Sequence, residues 1–139
     1  MGLGIIGSPP VKYSVVDAAD GMSGWTEWKR LAAKSAWFDD DFDDYNRPAC
    51  YELALAGPRG GDLDIMYVGE TKHEKTRIKE YAARGSHLSA EIDRELRNGW
   101  TLWYRAQAKD TKAQAKAMQD RLLAEYAYPW NILGQQQDQ

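Results

Sequence analysis

The stretch from Cys50 to Gly69 constrains the fold more than any other part of the chain. It reads CYELALAGPRGGDLDIMYVG, two short apolar and aromatic runs on either side of PRGG. Runs of this length and composition predict β-strands, because branched and aromatic side chains fit a half-buried pleated surface. Proline and glycine between them predict a turn. The stretch is therefore predicted to form a β-hairpin whose loop is longer than two residues.

Two helices are predicted directly after the hairpin. Thr71 precedes Glu74 by three residues, a spacing that predicts a capping box at the start of the first helix. That helix is expected to run to about residue 84 and to end at Gly85. The second helix is indicated by apolar residues at helical spacing and by two closing residues: Leu88, Ile92, Leu96, Asn98 and Gly99.

A third strand and a last helix complete the predicted fold. WTLWYRAQA, residues 100–108, has the composition of a strand, and Asp110 or Thr111 can cap a helix that ends before Pro129. The element order is then ββααβα, which lacks the βαβ alternation of a parallel sheet. This order predicts an α+β fold with a three-stranded, mostly antiparallel sheet flanked by helices.

The residues before the hairpin, numbered 1–48, are predicted to form an N-terminal arm. Within it, SGWTEWKRLAAKSAWF predicts one amphipathic helix whose tryptophans pack on the body of the protein. The run DDDFDDY that follows is interpreted as an acidic, solvated connector. The compact domain is predicted over residues 49–133, and the polar end, residues 134–139, is predicted to be a disordered tail. The helical spacing in the arm is carried by Trp25, Trp28, Leu31, Ala32 and Ser35.

The net charge of −3 argues against a protein that binds polyanions over its whole surface. Residues 1–49 carry eight acidic and five basic residues, so the rest of the chain is neutral. Within that rest, five basic side chains lie close together in the sequence: Lys72, Lys75, Arg77, Lys79 and Arg84. They predict either a basic helix face that contacts nucleic-acid phosphates or a solvated helix surface.

The single cysteine, Cys50, predicts neither a disulfide framework nor a cysteine zinc site. Its position within an apolar strand is typical of a small core residue. The N-terminal sequence lacks a secretory pattern, and no apolar run is long enough to cross a bilayer. A cytoplasmic protein without a membrane partner is therefore expected.

Polar residues recur at places where folding alone does not require them. Tyr51 and Tyr67 lie on the hairpin, and Arg77 precedes Tyr81 by four residues, which places both on one helix face. The sequence PWN, residues 129–131, follows the last predicted helix. In this order and spacing the pieces resemble the GIY-YIG nuclease domain over residues 47–131. Its Gly-Ile-Tyr tripeptide corresponds to ACY here, and its Tyr-Ile-Gly tripeptide corresponds to YVG.

The resemblance implies a metal-dependent endonuclease that hydrolyses DNA phosphodiester bonds in one step with Mg²⁺ or Mn²⁺. It implies that Tyr67 takes the proton from the attacking water and that Arg77 steadies the charge that builds on the phosphate. The implied catalytic set is completed by Tyr51, Tyr81 and Asn131. Nucleic-acid contacts are expected from Lys72, Lys75, Lys79 and Arg84. Two residues depart from the family pattern: Ala49 replaces the first glycine, and Glu70 stands where many members have lysine.

The metal-binding position is the largest departure. The family's glutamate stands twelve residues before the final asparagine, and that position here is Gln119. Helical register places Gln119 on the same inward stripe as Ala115 and Leu122. A glutamine keeps the shape of the ligand but removes the charge that holds Mg²⁺. Two interpretations stay open: a native core glutamine, or a glutamate-to-glutamine variant that traps an uncut complex.

Three functions remain in competition. The first is a small restriction-type or phage-type DNA endonuclease, for which a homodimer would let one site per subunit cut both strands. The second is a catalytically silent nucleic-acid-binding module with a native Gln119. The third is a structural interaction domain that uses the tryptophan helix. Cleavage and binding assays separate them, because the three predict cutting, binding alone and neither.

Overall fold

One antiparallel sheet organises the chain, in the strand order β1-β4-β2-β3. The structure, a computed structural model, describes residues 24–31, 47–82 and 86–132. Its elements are β1 Lys29–Leu31, β2 Ala49–Ala56, β3 Asp64–Thr71, α1 Glu74–Ala82, α2 Ser89–Arg97, β4 Thr101–Ala108 and α3 Lys112–Glu125, followed by a helical turn over residues 129–132. The predicted α+β class and antiparallel sheet are confirmed, with four strands instead of three.

The additional strand comes from the arm. Where the sequence predicts an amphipathic helix, residues 24–28 have no regular secondary structure and Lys29–Leu31 is a strand, so the helix prediction is wrong for these residues. The cause is tertiary pairing, which overrides local helical spacing. Lys29 lies opposite Tyr104 and Leu31 opposite Leu102 on β4. Residues 32–46, which include the whole acidic connector, and the predicted tail lie outside the described residues.

The predicted hairpin is present as β2 and β3. Its loop is closed by a hydrogen bond from the Gly60 N–H to the Gly57 carbonyl at 2.9 Å. Gly60 and Gly61 have φ angles of 80° and 101°, a left-handed conformation that glycine adopts without steric cost. The sequence PRGG therefore supplies both the turn and the residues that its backbone requires.

Strand alternation divides the core between the two faces of the sheet. One face packs against α1 and α2 and carries Tyr51, Leu53 and Tyr104. The other packs against α3 and carries Cys50, Ala54 and Val68 together with Met118 and Leu122. Cys50 is fully buried, as predicted, and burial raises the pKa of its thiol to about 12.

Helix starts follow the predictions in part. The capping box at Thr71 is wrong: Thr71 ends β3, its hydroxyl accepts from the His73 N–H at 3.0 Å, and Glu74 instead forms an ion pair with Arg47 at 3.0 Å. Thr111 does cap α3, in a capping box with Gln114. Gly99, with a φ of 91°, follows α2 as predicted, and residues 83–85 after α1 lie outside the described residues.

Candidate active site

Three tyrosines from three elements meet on the face of the sheet that α1 covers. Tyr51 comes from β2, Tyr67 from β3 and Tyr81 from α1. The Tyr51 and Tyr81 hydroxyls share a hydrogen bond of 2.7 Å. The ring centroids of the three lie 5.7 to 6.3 Å apart, all tilted. We call these residues the tyrosine cluster; Tyr51 and Tyr81 are fully buried, whereas Tyr67 is half-buried.

The glycine at the end of YVG makes room for this cluster. Gly69 lies directly opposite Tyr51 across the β2–β3 pair. A Cβ atom on Gly69 would lie 2.5 Å from Cζ and Oη of Tyr51 and 2.9 Å from Cε2 of Tyr67. Both rings therefore cross the space that any other side chain would fill. Close packing, and not a positive φ angle, is therefore the reason for a glycine at position 69.

Burial keeps the cluster protonated. It raises the pKa of Tyr51 well above its usual value, and the neighbouring Tyr81 and Tyr67 raise it further. Burial also raises the pKa of Tyr67, and this outweighs the lowering by its hydrogen bonds and by the Arg77 charge. The pKa of Tyr81 is raised mainly for the same reason. A phenolate at this site therefore forms only if its proton is passed on as it forms.

Arg77 supplies positive charge at the edge of the cluster. It lies on α1 four residues before Tyr81, and 40% of its side chain is exposed, so its guanidinium can reach a ligand. Burial lowers its pKa, but the Tyr51 and Tyr81 hydroxyls and the Glu80 carboxylate outweigh burial and raise it. Its Nε lies 3.0 Å from Oε1 of Glu80. Arg77 is therefore always charged, with one exposed carboxylate that an anionic ligand would have to displace.

His87 is a member of the site that sequence reasoning missed. Its ring meets Tyr67 edge-on, with centroids 5.5 Å apart, and lies 6.4 Å from the Tyr81 ring. His87 is exposed and lies two residues before the start of α2. The only signal in the sequence is the rarity of histidine, since the chain has two. Histidine side chains commonly exchange protons near neutral pH, so a histidine beside Tyr67 is a candidate proton acceptor or donor for that tyrosine.

The Asn131 side chain forms hydrogen bonds with the backbone of β3, which is an edge strand of the sheet. Its Oδ1 accepts from the Val68 N–H at 2.9 Å, and its Nδ2 donates to the Val68 carbonyl at 2.9 Å. The terminal helical turn is thereby fastened to β3 at the residue after Tyr67. This geometry supports a positioning role for Asn131; direct contact with substrate stays a prediction.

Gln119 lies beside the buried stripe of α3. The buried residues of the helix are Ala115, Met118 and Leu122, while Gln119 is half-buried. The predicted stripe through Gln119 is therefore displaced by one position, toward Met118. Met118 is the residue that faces the sheet at this level of the helix, because it belongs to the same buried cluster as Cys50 and Val68.

The start of α3 is joined to β3 by an ion pair. Lys112 contacts Glu70 near the end of β3, with Nζ 2.8 Å from Oε1. Met118 and Leu122 of α3 belong to the same buried cluster as Ile65 and Val68 of β3. The role of Gln119 as the metal-binding position stays a prediction.

The predicted nucleic-acid contacts are solvent-accessible where they are described. Lys72 and Lys79 are exposed and Lys75 is half-exposed, on and just before α1. Arg84 lies outside the described residues. Lys75 and Lys79 lie on α1 two residues before and after Arg77, so at about 100° per residue they project from the side of the helix roughly opposite to Arg77. Contact of these lysines with nucleic acid stays a prediction.

Within the described ranges, the side chains do not fit a tight Mg²⁺ site. No group of three or more histidine, cysteine or acidic residues could hold a metal there. Gln119 offers a neutral amide oxygen, and the carboxylate of Glu70 is neutralised by Lys112. Magnesium binding in proteins depends chiefly on carboxylates, so the family's usual ligand set is incomplete here.

The antiparallel sheet with its flanking helices is consistent with the GIY-YIG fold, which is a nuclease-type fold. Residues 25–138 match the family described as GIY-YIG domain-containing protein, and the chain belongs to this family. The family consists of endonucleases that act on DNA and are generally dependent on divalent metals. Comparisons with curated proteins and with solved structures found no match. In the described part of the chain, every helix is too short or too polar to span a membrane.

Proposed function

We propose that this chain binds DNA at the tyrosine cluster and carries an endonuclease site whose cleavage is limited by Gln119. The observation that carries the proposal is the convergence of Tyr67, Arg77 and His87 at one accessible edge of an otherwise buried cluster. Phosphodiester hydrolysis needs an activated water and positive charge near the phosphate. These three side chains are of the types that supply both.

The accessible residues take the chemical roles. Tyr67 accepts the proton of the attacking water while its own hydroxyl proton passes on, with His87, whose ring borders Tyr67, as the acceptor, because the raised pKa of Tyr67 excludes a standing phenolate at neutral pH. The water oxygen bonds to phosphorus as the bond from phosphorus to the leaving oxygen breaks, and the leaving oxygen takes a proton from solvent. Arg77 neutralises the charge that grows on the phosphate oxygens. Tyr51 and Tyr81 are fully buried, so they act as positioning residues that hold Tyr67 through the shared hydrogen bond and ring contacts.

Gln119 sets the limit on this chemistry. The divalent ion typical of the family, Mg²⁺ or Mn²⁺, would neutralise charge on the phosphate, and a carboxylate at position 119 is what would hold it. With an amide there, we assign no step to the ion in this chain. Binding by Lys72, Lys75 and Lys79 is unaffected by Gln119, and it should weaken as salt rises, because phosphate contacts release counterions.

A plasmid-nicking assay with Mg²⁺ tests the proposal on four proteins. These are the unmodified chain, Gln119→Glu, Gln119→Glu combined with Tyr67→Phe, and Ala117→Glu. The last is a matched control, because Ala117 is exposed on the same helix and receives the same charge. We expect rapid nicking from Gln119→Glu alone. Fluorescence anisotropy with a labelled duplex should show binding by all four.

A catalytically silent binding module is the second candidate, and the neutral amide of Gln119 favours it. Under this alternative the chain binds DNA, and neither it nor Gln119→Glu cuts. Nicking of the plasmid by Gln119→Glu would rule out this alternative. If the enzyme cuts both strands with one site per chain, either a homodimer supplies two sites or one site nicks the strands in turn. Sedimentation of the chain on duplex DNA measures that stoichiometry.

A further inference from the structure

The face of the sheet opposite the tyrosine cluster carries a buried polar network. Glu52 on β2 and Arg105 on β4 are both fully buried. Arg105 donates from Nε to Oε1 of Glu52 at 2.8 Å, and its Nη2 lies 2.7 Å from the same oxygen. The Tyr128 hydroxyl donates to Oε2 of Glu52 at 2.6 Å. A charged pair so deep in a core is rarely retained for stability alone, since apolar residues often serve as well.

The N-terminal segment covers this network. The Arg105 guanidinium carbon lies 4.2 Å from the ring centroid of Trp25 and 4.9 Å from that of Trp28. Thr26, between the two tryptophans, is fastened to β4: its N–H donates to the Ala106 carbonyl at 2.9 Å, and its hydroxyl accepts from the Ala106 N–H at 3.0 Å. The residues ahead of β1 are thus held to the same part of the sheet as the ion pair.

The network is linked to the candidate site through the end of the chain. Tyr128 begins the terminal turn, in which the Asn131 N–H donates to the Tyr128 carbonyl at 3.0 Å. The Asn131 side chain then clamps both backbone groups of Val68. Val68 lies directly opposite Glu52 in the β2–β3 register, and Tyr67 is its neighbour on the other face. These contacts connect Glu52 through Tyr128 and Asn131 to Val68, which lies opposite Glu52 and next to Tyr67 in the chain.

We propose that the network of Glu52, Arg105 and Tyr128, closed by Trp25 and Trp28, positions Tyr67 by holding Asn131 against Val68. The N-terminal segment is then part of the site's construction. Within the network, the hydrogen bond from Tyr128 to Glu52 is the contact that sets the position of the terminal turn. Arg105 alone already neutralises the charge of Glu52, so the Tyr128 hydroxyl is not needed for that purpose. The catalytic part of this inference rests on the proposed function, but the positional part does not.

Tyr128→Phe tests the inference, because it removes one hydroxyl and leaves the packed ring. Tyr126→Phe is the control, since it removes a hydroxyl from the same segment without touching the bond to Glu52. Amide hydrogen exchange followed by NMR reports on the Val68 N–H directly. We expect that amide to exchange at least tenfold faster in Tyr128→Phe, the scale expected for losing a hydrogen bond to a charged group. The amides of β4, measured alongside, should change less than twofold, and the Tyr67 resonances should shift.

Equal acceleration at Val68 and throughout β4 would overturn the inference, because it would mean that the network only stabilises the fold. Unchanged exchange at Val68 would overturn it as well. If Tyr128→Phe does not fold, Trp25→Leu provides the second variant, which loosens the network from the arm and should give the same pattern at Val68. In the Gln119→Glu background, Tyr128→Phe should lower kcat for nicking without weakening DNA binding. Failure of every form to nick would count against the proposed function and leave the exchange result standing.

Discussion

Replacing Gly69 by alanine tests how tightly the tyrosine cluster is built. The new methyl group would lie 2.5 Å from Cζ and Oη of Tyr51, and that ring is held by the 2.7 Å hydrogen bond to Tyr81. Overpacking of a core costs about 1–3 kcal/mol. Displacing Tyr51 also breaks its bond to Tyr81, at about 1 kcal/mol. Against this, alanine in a strand gains roughly 0.5–1 kcal/mol over glycine. The net loss of unfolding free energy is therefore about 1–3.5 kcal/mol.

Urea unfolding followed by circular dichroism measures this loss, which corresponds to a fall in Tm of roughly 3–12 °C for a chain of this size. Gly57→Ala is the matched control. A Cβ atom there would lie 3.5 Å from the Trp100 ring, an ordinary contact, so its stability should change by less than about 0.5 kcal/mol. The reasoning is refuted if Gly69→Ala and Gly57→Ala have the same stability. In the Gln119→Glu background, Gly69→Ala should also slow nicking, because Tyr67 borders the same space.

Three further predictions concern stability. Folding raises the pKa of each member of the tyrosine cluster, so the folded state retains protons above pH 10 and unfolding free energy should fall as pH rises from about 10. Tyr51→Phe should reduce that slope by up to about 1.4 kcal/mol per pH unit, measured by urea titration between pH 9.5 and 11. Glu52→Gln leaves Arg105 charged and poorly paired in the core, so it should lower the free energy of unfolding by about 3–5 kcal/mol. Asp120→Asn, in an exposed ion pair, should lower it by less than about 0.5 kcal/mol. Equal losses in urea titrations of the two variants would contradict the burial of Glu52 and Arg105. Thr111→Ala removes the cap of α3 and should cost about 1 kcal/mol, and no loss in a urea titration would show that the cap is dispensable.

The hairpin was predictable because its information is local. Strand composition and the PRGG turn specify β2 and β3 without reference to the rest of the chain, and Gly60 and Gly61 adopt the conformations that such a turn needs. The same holds for Thr111, whose cap depends on residues three positions away. Tyr51, Tyr67 and Arg77 could be named from motif spacing, although the spacing alone does not show that only Tyr67 and Arg77 are accessible.

The remaining features depend on contacts between distant segments. The sequence predicts a helix across β1 because Trp25, Trp28 and Leu31 have helical spacing, whereas pairing with β4, more than 70 residues later, decides that Lys29–Leu31 is a strand. His87 joins the site through ring contacts that no spacing rule contains. Glu52 and Arg105 look like ordinary strand charges until the register places them opposite each other. Thr71 was misassigned as a cap because the chain there continues the strand before α1 begins.

The central claim is that Gln119 alone separates this chain from a working metal-dependent endonuclease. The most direct measurement is the initial rate of supercoiled-plasmid nicking by the chain and by Gln119→Glu, at equal protein concentration, in Mg²⁺ and in EDTA. The account predicts that Gln119→Glu nicks faster by orders of magnitude in Mg²⁺ and that EDTA abolishes the gain, with Ala117→Glu no faster than the unmodified chain. Equal rates for Gln119→Glu and the unmodified chain in Mg²⁺ would contradict it.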